Sequence, residues 1–209
     1  MHLSIEYCAE HYLRQWITVE RQLHFALNSR DGDALFSGLG DAVKFFMVAR
    51  TLPRKYDVDR GARRYEPLLH AFLQFHEQPL SQDHFVEHVD RFQRLIGSYY
   101  GGRSLISLSS KLLWLKHRDP FIIFDSRVRN ALGVASSSYP QFVERWLSGF
   151  EVHKSEIAYA SDRLPHTAAH LDAEAEDVGP EAAAVSAELW FHRRVFDIYL
   201  WHLNSRGHS

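Results

Sequence analysis

Phe121-Ile122-Ile123-Phe124 is the single run in this chain that reads as an extended, strand-like segment; elsewhere the apolar residues recur in steps of three and four. Such a chain is confined to helices packed on helices, because the period of its apolar residues decides which faces can be buried together. The expected fold class is all-α. The 209 residues suffice for one domain with a sizeable core, or for two small lobes sharing a cleft.

Leu3, Tyr7, Leu13, Trp16, Ile17, Val19, Leu23 and Leu27 approximate one helical face over residues 3 to about 28, which the cluster Asn28-Ser29-Arg30-Asp31-Gly32 closes. Asp33 is placed to cap a second helix, with Leu35, Leu39, Val43, Phe46, Met47 and Ala49 on its apolar side as far as Leu52-Pro53. Further helices are expected from Glu66-Pro67, from Ser81 as N-cap to Gly97, from Ser136-Ser137-Ser138-Tyr139-Pro140 through Phe150, and from about Glu181 to Leu203. Gly97-Ser98-Tyr99-Tyr100-Gly101-Gly102 is a break between helices. Residues 153 to 180 lose the pattern and read as short helical or loop pieces.

Charge gives no bulk reason to bind nucleic acid, since the formal net charge is −2 and the pI about 6.7. Its distribution does: Arg50, Arg54, Lys55, Arg60, Arg63 and Arg64 lie within the fifteen residues 50 to 64, opposed only by Asp57 and Asp59. That segment reads as an exposed loop able to present a basic face. A lone Cys8 excludes an intramolecular disulfide framework and any Cys-based zinc cluster, so a reducing cytoplasm is the expected compartment. No stretch is long and apolar enough to cross a membrane, and His2, Glu6 and Glu10 are unlike the basic start of a signal peptide.

His84-Phe85-Val86-Glu87-His88 matches the H-x-x-E-H pattern of inverted zinc metalloproteases. Zinc there needs a third protein ligand, which the sequence does not nominate, and fourteen histidines make a chance pair easy; His166 and His170 form another. Both histidines of the motif are expected on a solvated helix face, with no metal and no cofactor.

The central stretch carries the chemistry. In Leu105-Ile106-Ser107-Leu108-Ser109-Ser110-Lys111, the short hydroxyl side chains suit a tight turn and a helix N-cap, which would put Lys111 in the first turn of the helix that follows. A cation is disfavoured there by the helix dipole. That helix should stop before Pro120, and the apolar arm Phe121 to Phe124 then delivers Asp125 to a new helix start at Ser126-Arg127-Val128. Asp125 can be an N-cap, or a catalytic carboxylate held by the arm.

An early Lys on a helix after a hairpin, an apolar arm and an Asp at a helix start together resemble the helix-hairpin-helix DNA glycosylases of the 8-oxoguanine type. Residues 105–111 align position for position on their L-P-G-V-G-T-K hairpin. Ser-Lys…Asp-Ser-Arg-Val and the late Arg-Val-Phe-Asp-Ile-Tyr-Leu-Trp helix are similar to bacterial proteins with an 8-oxoguanine glycosylase fold, over about 105 to 132 and more weakly 189 to 202. The resemblance implies a helical domain with a cleft between two helical lobes. The whole chain, 1–209, would be one such domain, with lobe 1–104 and 181–209 around a hairpin and catalytic region 105–150. It implies excision of a modified base from DNA, with Lys111 as the amine that attacks the sugar C1′ and Asp125 as the essential carboxylate. AP-lyase activity through Lys111 is open. Serines stand where the family has hairpin glycines, and the fourteen residues from Lys111 to Asp125 are about one helical turn fewer than in the human-type enzymes.

By that correspondence Ser107, Ser109, Ser110 and Arg127, with Arg60, Arg63 and Arg64 of the basic segment, are candidates for DNA contact, and Trp114 and Leu115 for the base pocket. Lys111 and Asp125 are expected to face a common cleft. The partner implied is DNA bearing a modified base, and the protein is expected to act as a monomer. The group's link to defence against phages nominates hypermodified, glucosylated hydroxymethyl cytosine. Three rivals stand beside this: an oxidised-purine repair enzyme, a DNA-binding module of the same fold without catalysis, and a helical protein-interaction domain whose Asp125 is only a cap.

Overall fold

The computed structural model describes residues 3–53, 63–76, 81–165 and 178–203. In chain order the helices are α1 (Ile5–Gln15), α2 (Arg21–Leu27), α3 (Gly32–Phe45), α4 (Glu66–His76), α5 (Phe85–Tyr99) and α6 (Ile106–His117). Then come α7 (Ser126–Ala131), α8 (Tyr139–Asp162), α9 (Val178–Ser186) and α10 (Leu189–Leu203). The described residues include no strand, and none of their helices is long and apolar enough to cross a membrane. The chain divides into two compact units, one of residues 20–124 and the other of residues 1–19 with 125–209. The segment 105–150 is therefore shared between them.

In the unit of residues 20–124, α6 is the central helix. Leu108 through Leu115 are all buried, so α6 has no polar face to give to water and packs against α2, α3 and α5. A helix buried on every side is legible only as a run of apolar and small residues, without a stripe. This corrects the reading of residues 105–110 as a hairpin. Helix α6 begins at Ile106, its N-cap position is Leu105 with no side-chain bond, and Ser109 and Ser110 are fully buried within it. Lys111 accordingly stands in the second helical turn, past the end where the dipole opposes a cation.

In the other unit, α10 packs against α1, α7, α8 and α9. Trp146 of α8 donates its indole Nε1–H to Asp197 Oδ1 at 2.8 Å, and the other carboxylate oxygen faces Arg194 Nη1 at 3.4 Å. Asp197 is 3% exposed, and the Trp146 ring meets Phe196 edge to face at 5.1 Å. Asp197→Ala strands a buried indole donor, so a loss of about 1–3 kcal/mol is expected in urea unfolding; an unchanged midpoint would show that the carboxylate contributes nothing to holding α8 on α10.

Several boundaries differ from those expected. The first helix is interrupted by a π-helical segment, Trp16–Glu20. Asp31, not Asp33, caps α3, its Oδ1 accepting from Asp33 N at 3.0 Å. That helix ends at Phe45, short of Met47 and Ala49. Ser81 precedes a 3-10 turn, Gln82–His84, and makes no side-chain cap. Helix α8 runs to Asp162 because its inner positions after Phe150 are Ile157 and the small residues Ala160 and Ser161, while Val152 and Tyr159 face water. The last helix is two, α9 and α10, parted at Ala187-Glu188 with neither Gly nor Pro to announce it; His192 Nε2 lies 2.8 Å from Ser186 O at the break.

Candidate active site

Lys111 is 6% exposed, and its Nζ donates to Ser107 Oγ, one turn earlier, at 2.9 Å. A lysine is seldom buried without a purpose, because the ammonium gives up strong hydration. One residue before it, Ser110 Oγ accepts from the backbone N–H of Phe124 at 2.9 Å. This bond is buried and ties the end of the apolar arm to α6 beside Lys111. The arm is not a strand: residues 121–124 are extended without a ladder, all buried, with Phe121 N bonded to Arg118 O at 3.0 Å.

Asp125 follows Phe124 in the chain and opens the other unit. Its φ of −132° and ψ of 140° are those of an N-cap, and Oδ1 accepts from Arg127 N at 2.9 Å. The expected cap is thus formed, and Asp125 is half-buried. Arg127 is exposed, with its guanidinium carbon 4.3 Å from the centre of the Trp201 ring, a cation–π stack that holds the charge in a fixed place at the surface.

The other candidates are more deeply committed to the fold. Trp114 is 2% exposed beneath the Arg118 guanidinium at 4.3 Å; Leu115 is fully buried and its carbonyl oxygen lies 2.7 Å from His24 Nδ1. Arg118 is itself buried, has a φ of 64°, and faces the buried Glu20 at 3.8 Å. Arg64 reaches three backbone carbonyls, those of Ala49 (2.5 Å), Leu52 (3.2 Å) and Pro53 (2.8 Å), which makes it a staple of the loop rather than a projecting cation. Arg63 is exposed, lies over the Phe36 ring at 3.8 Å and pairs loosely with Glu66 at 4.0 Å. Arg60, His166 and His170 lie outside the described residues.

The two histidines of the H-x-x-E-H match part company. His84 is exposed, 3.8 Å from Glu87, whereas His88 is buried, a correction to the solvated face expected for both, and its Nε2 accepts from Ser81 N at 3.0 Å. A histidine pair that spacing could not have revealed joins α4 to α6. His76 Nδ1 and His117 Nε2 are 3.3 Å apart among Phe72, Phe75, Phe92 and Phe121. Burial first, then the neighbouring His117 and Lys116, pushes His76 down to about 3; burial and Lys116 push His117 down to about 4. Both rings are neutral at physiological pH.

A tight turn stands just upstream, where α5 hands over to α6. Gly101 and Gly102 both have φ of 75°, a region costly for any side chain. Gly102 N bonds back to Gly97 O at 2.8 Å, and a Cβ on Gly97 would come within 2.8 Å of Arg103 O, so the end of α5 and the returning chain touch backbone to backbone. An open groove of about 420 Å³ lies against this turn, lined by Arg94, Ser98, Gly102, Arg103 and Ser104 among others. Two arginines and no carboxylate line it, although Arg94 shares an exposed ion pair with Asp90 at 3.1 Å. In sequence this turn reads as a helix break, while Arg94 and Arg103 of its groove stand apart in the chain and are brought together only by the turn itself.

No protein-family profile, curated protein or solved structure matches the chain.

Proposed function

We propose that this protein is a DNA glycosylase of the helix-hairpin-helix type, removing a modified base by breaking its N-glycosidic bond. The observation that carries the reading is the buried Lys111 on α6, with the arm that leads to Asp125 bonded beside it through Ser110 and Phe124. The Gly101-Gly102 turn between α5 and α6 supports it further.

The chemistry asks for what these residues can give. As the C1′–N bond breaks, the electron pair leaves with the base and positive charge builds on the deoxyribose; a carboxylate close by stabilises that charge. Asp125 takes this role. Either water adds its oxygen to C1′ and its proton goes to the departing base, or the Lys111 amine forms the C1′–N bond and gives its proton to the departing base, after which the C1′–O4′ bond breaks, O4′ takes a proton and the nitrogen lone pair completes a protonated imine. The target nucleotide must first leave the base stack. Hypermodified cytosine, including the glucosylated hydroxymethyl form, is the base class proposed. The deciding experiment is incubation with genomic DNA from phages carrying different modified cytosines, reading free base and abasic sites. Tight, salt-dependent binding without base release in any of them would leave only a binding module.

The groove at the α5–α6 turn, in place of residues 105–110, is assigned to the DNA backbone. Replacing Arg94 and Arg103 together by Ala is expected to weaken binding equally across sequences and to lower the salt slope by about one for every phosphate no longer neutralised. Salt titration of the affinity measures this. Arg64→Ala is expected to lower thermal stability instead, and a slope that moves with Arg64 but not with Arg94 and Arg103 would reverse the assignment.

A further inference from the structure

Ser107 is the second residue of α6, and Lys111 stands one turn after it, so the lysine stem lies back along the helix toward its N-terminal end. The 2.9 Å bond from Nζ to Ser107 Oγ fixes the tip of a side chain that otherwise has many rotamers open to it. Lys111 is buried and Ser107 half-buried. Ser110, on the same side of the helix, holds the arm through the backbone N–H of Phe124. Two hydroxyls three residues apart therefore set the amine and the arm relative to each other.

The kind of contact matters as much as its place. A carboxylate at position 107 would stabilise the ammonium, in which nitrogen has no lone pair to offer. A hydroxyl carries no charge and can both accept and donate: it takes a hydrogen bond from an ammonium or from a neutral amine, and can give one to the amine. The contact at Ser107 thus survives loss of the lysine proton. It keeps Nζ in place in the form that attacks carbon, and it adds nothing to hold the proton on.

We infer that Ser107 is a positioning residue for the Lys111 amine, its hydroxyl holding Nζ in one orientation through the loss of the lysine proton. This rests on the reading of Lys111 as the amine that forms an imine with the sugar. The test uses the full chain, a short duplex carrying one abasic site, and borohydride. Nζ adds to the C1′ aldehyde of the opened sugar, the aldehyde oxygen leaves as water, and hydride reduces the C=N bond to a stable amine. Ser107→Ala is expected to slow trapping by about 10–100-fold across the pH range, because orientation is lost in both charge states. Duplex affinity should stay within about threefold, since no charge is removed. Ser107→Thr keeps the hydroxyl and is expected to trap at close to the wild-type rate. Ser107→Asp places an acid in the first turn of α6, where the helix favours one; it is expected to cut trapping at pH 7 by about tenfold or more and to regain it at higher pH. A folded Ser107→Ala protein that traps at the wild-type rate overturns the inference, as does a loss in Ser107→Thr equal to that in Ser107→Ala. If Ser107→Ala does not fold, Ser107→Asp decides, and a wild-type rate at pH 7 in that variant overturns the inference. No adduct with wild type removes the imine role of Lys111 and this inference with it, while base release through Asp125 and water remains to be read separately as free base.

Discussion

Asp125→Asn is expected to lower base release by about 10²–10⁴-fold while leaving the fold and the affinity for DNA in place. The structure makes this substitution unusually clean. Asp125 is the N-cap of α7, and its Oδ1 accepts from Arg127 N at 2.9 Å. Asparagine caps helices about as well as aspartate and offers the same carbonyl oxygen, so α7 should start where it does now. What disappears is the negative charge. Affinity for DNA should hold or rise, since a carboxylate near phosphates repels them. Asp125→Ala is the necessary companion: it removes charge and cap together and should cost about 0.5–2 kcal/mol in thermal or urea unfolding. If base release fell in the alanine variant in proportion to its stability and survived intact in the asparagine variant, Asp125 would be a cap and nothing more.

The sequence was plain about Asp125 and misleading about what precedes it, and the reasons are physical. An Asp before Ser-Arg-Val, after an apolar run that cannot continue a helix through Pro120, has few conformations open to it, and the cap formed. Serines carry an opposite ambiguity. They favour turns and caps because their hydroxyls compete for backbone groups, yet inside a crowded interior they are also the residues small enough to let neighbouring chains approach. Ser109 and Ser110 do the second, and Ser110 Oγ holds the arm. Nothing local distinguishes the two uses, because the decision is made by packing around α6. The same holds for Arg64, whose three carbonyl partners come from the short 3-10 turn Ala49–Thr51 and the two residues after it, a stretch too brief for any periodicity to describe. Met47 was read as one more apolar residue on a helix face. Helix α3 ends at Phe45, before reaching it, and Met47 is 73% exposed instead of lying in the core.

Lys111→Gln is expected to abolish the covalent protein–DNA adduct that borohydride traps in the wild type. Trapping requires an imine between Nζ and the sugar C1′, and glutamine has no amine to form one. The position of Lys111 gives the experiment its second readout. Its side chain is 6% exposed, with Nζ bonded to Ser107 Oγ. Burying an ammonium costs folding free energy and its buried partners return part of that cost, so the unfolding midpoint of a variant with a neutral side chain of similar length measures what the lysine does for the fold. Lys111→Met supplies that comparison. A midpoint at or above wild type with the adduct gone assigns the lysine to chemistry, since the fold gains nothing from it. A lower midpoint, with activity falling in step, assigns it to the α6 interior and leaves water as the attacking group. Free-base release separates the remaining cases: if it continues in Lys111→Gln while the adduct is lost, Asp125 and water cleave the glycosidic bond and Lys111 acts on the sugar afterwards. If both vanish in a stably folded protein, the amine is the nucleophile of the first step.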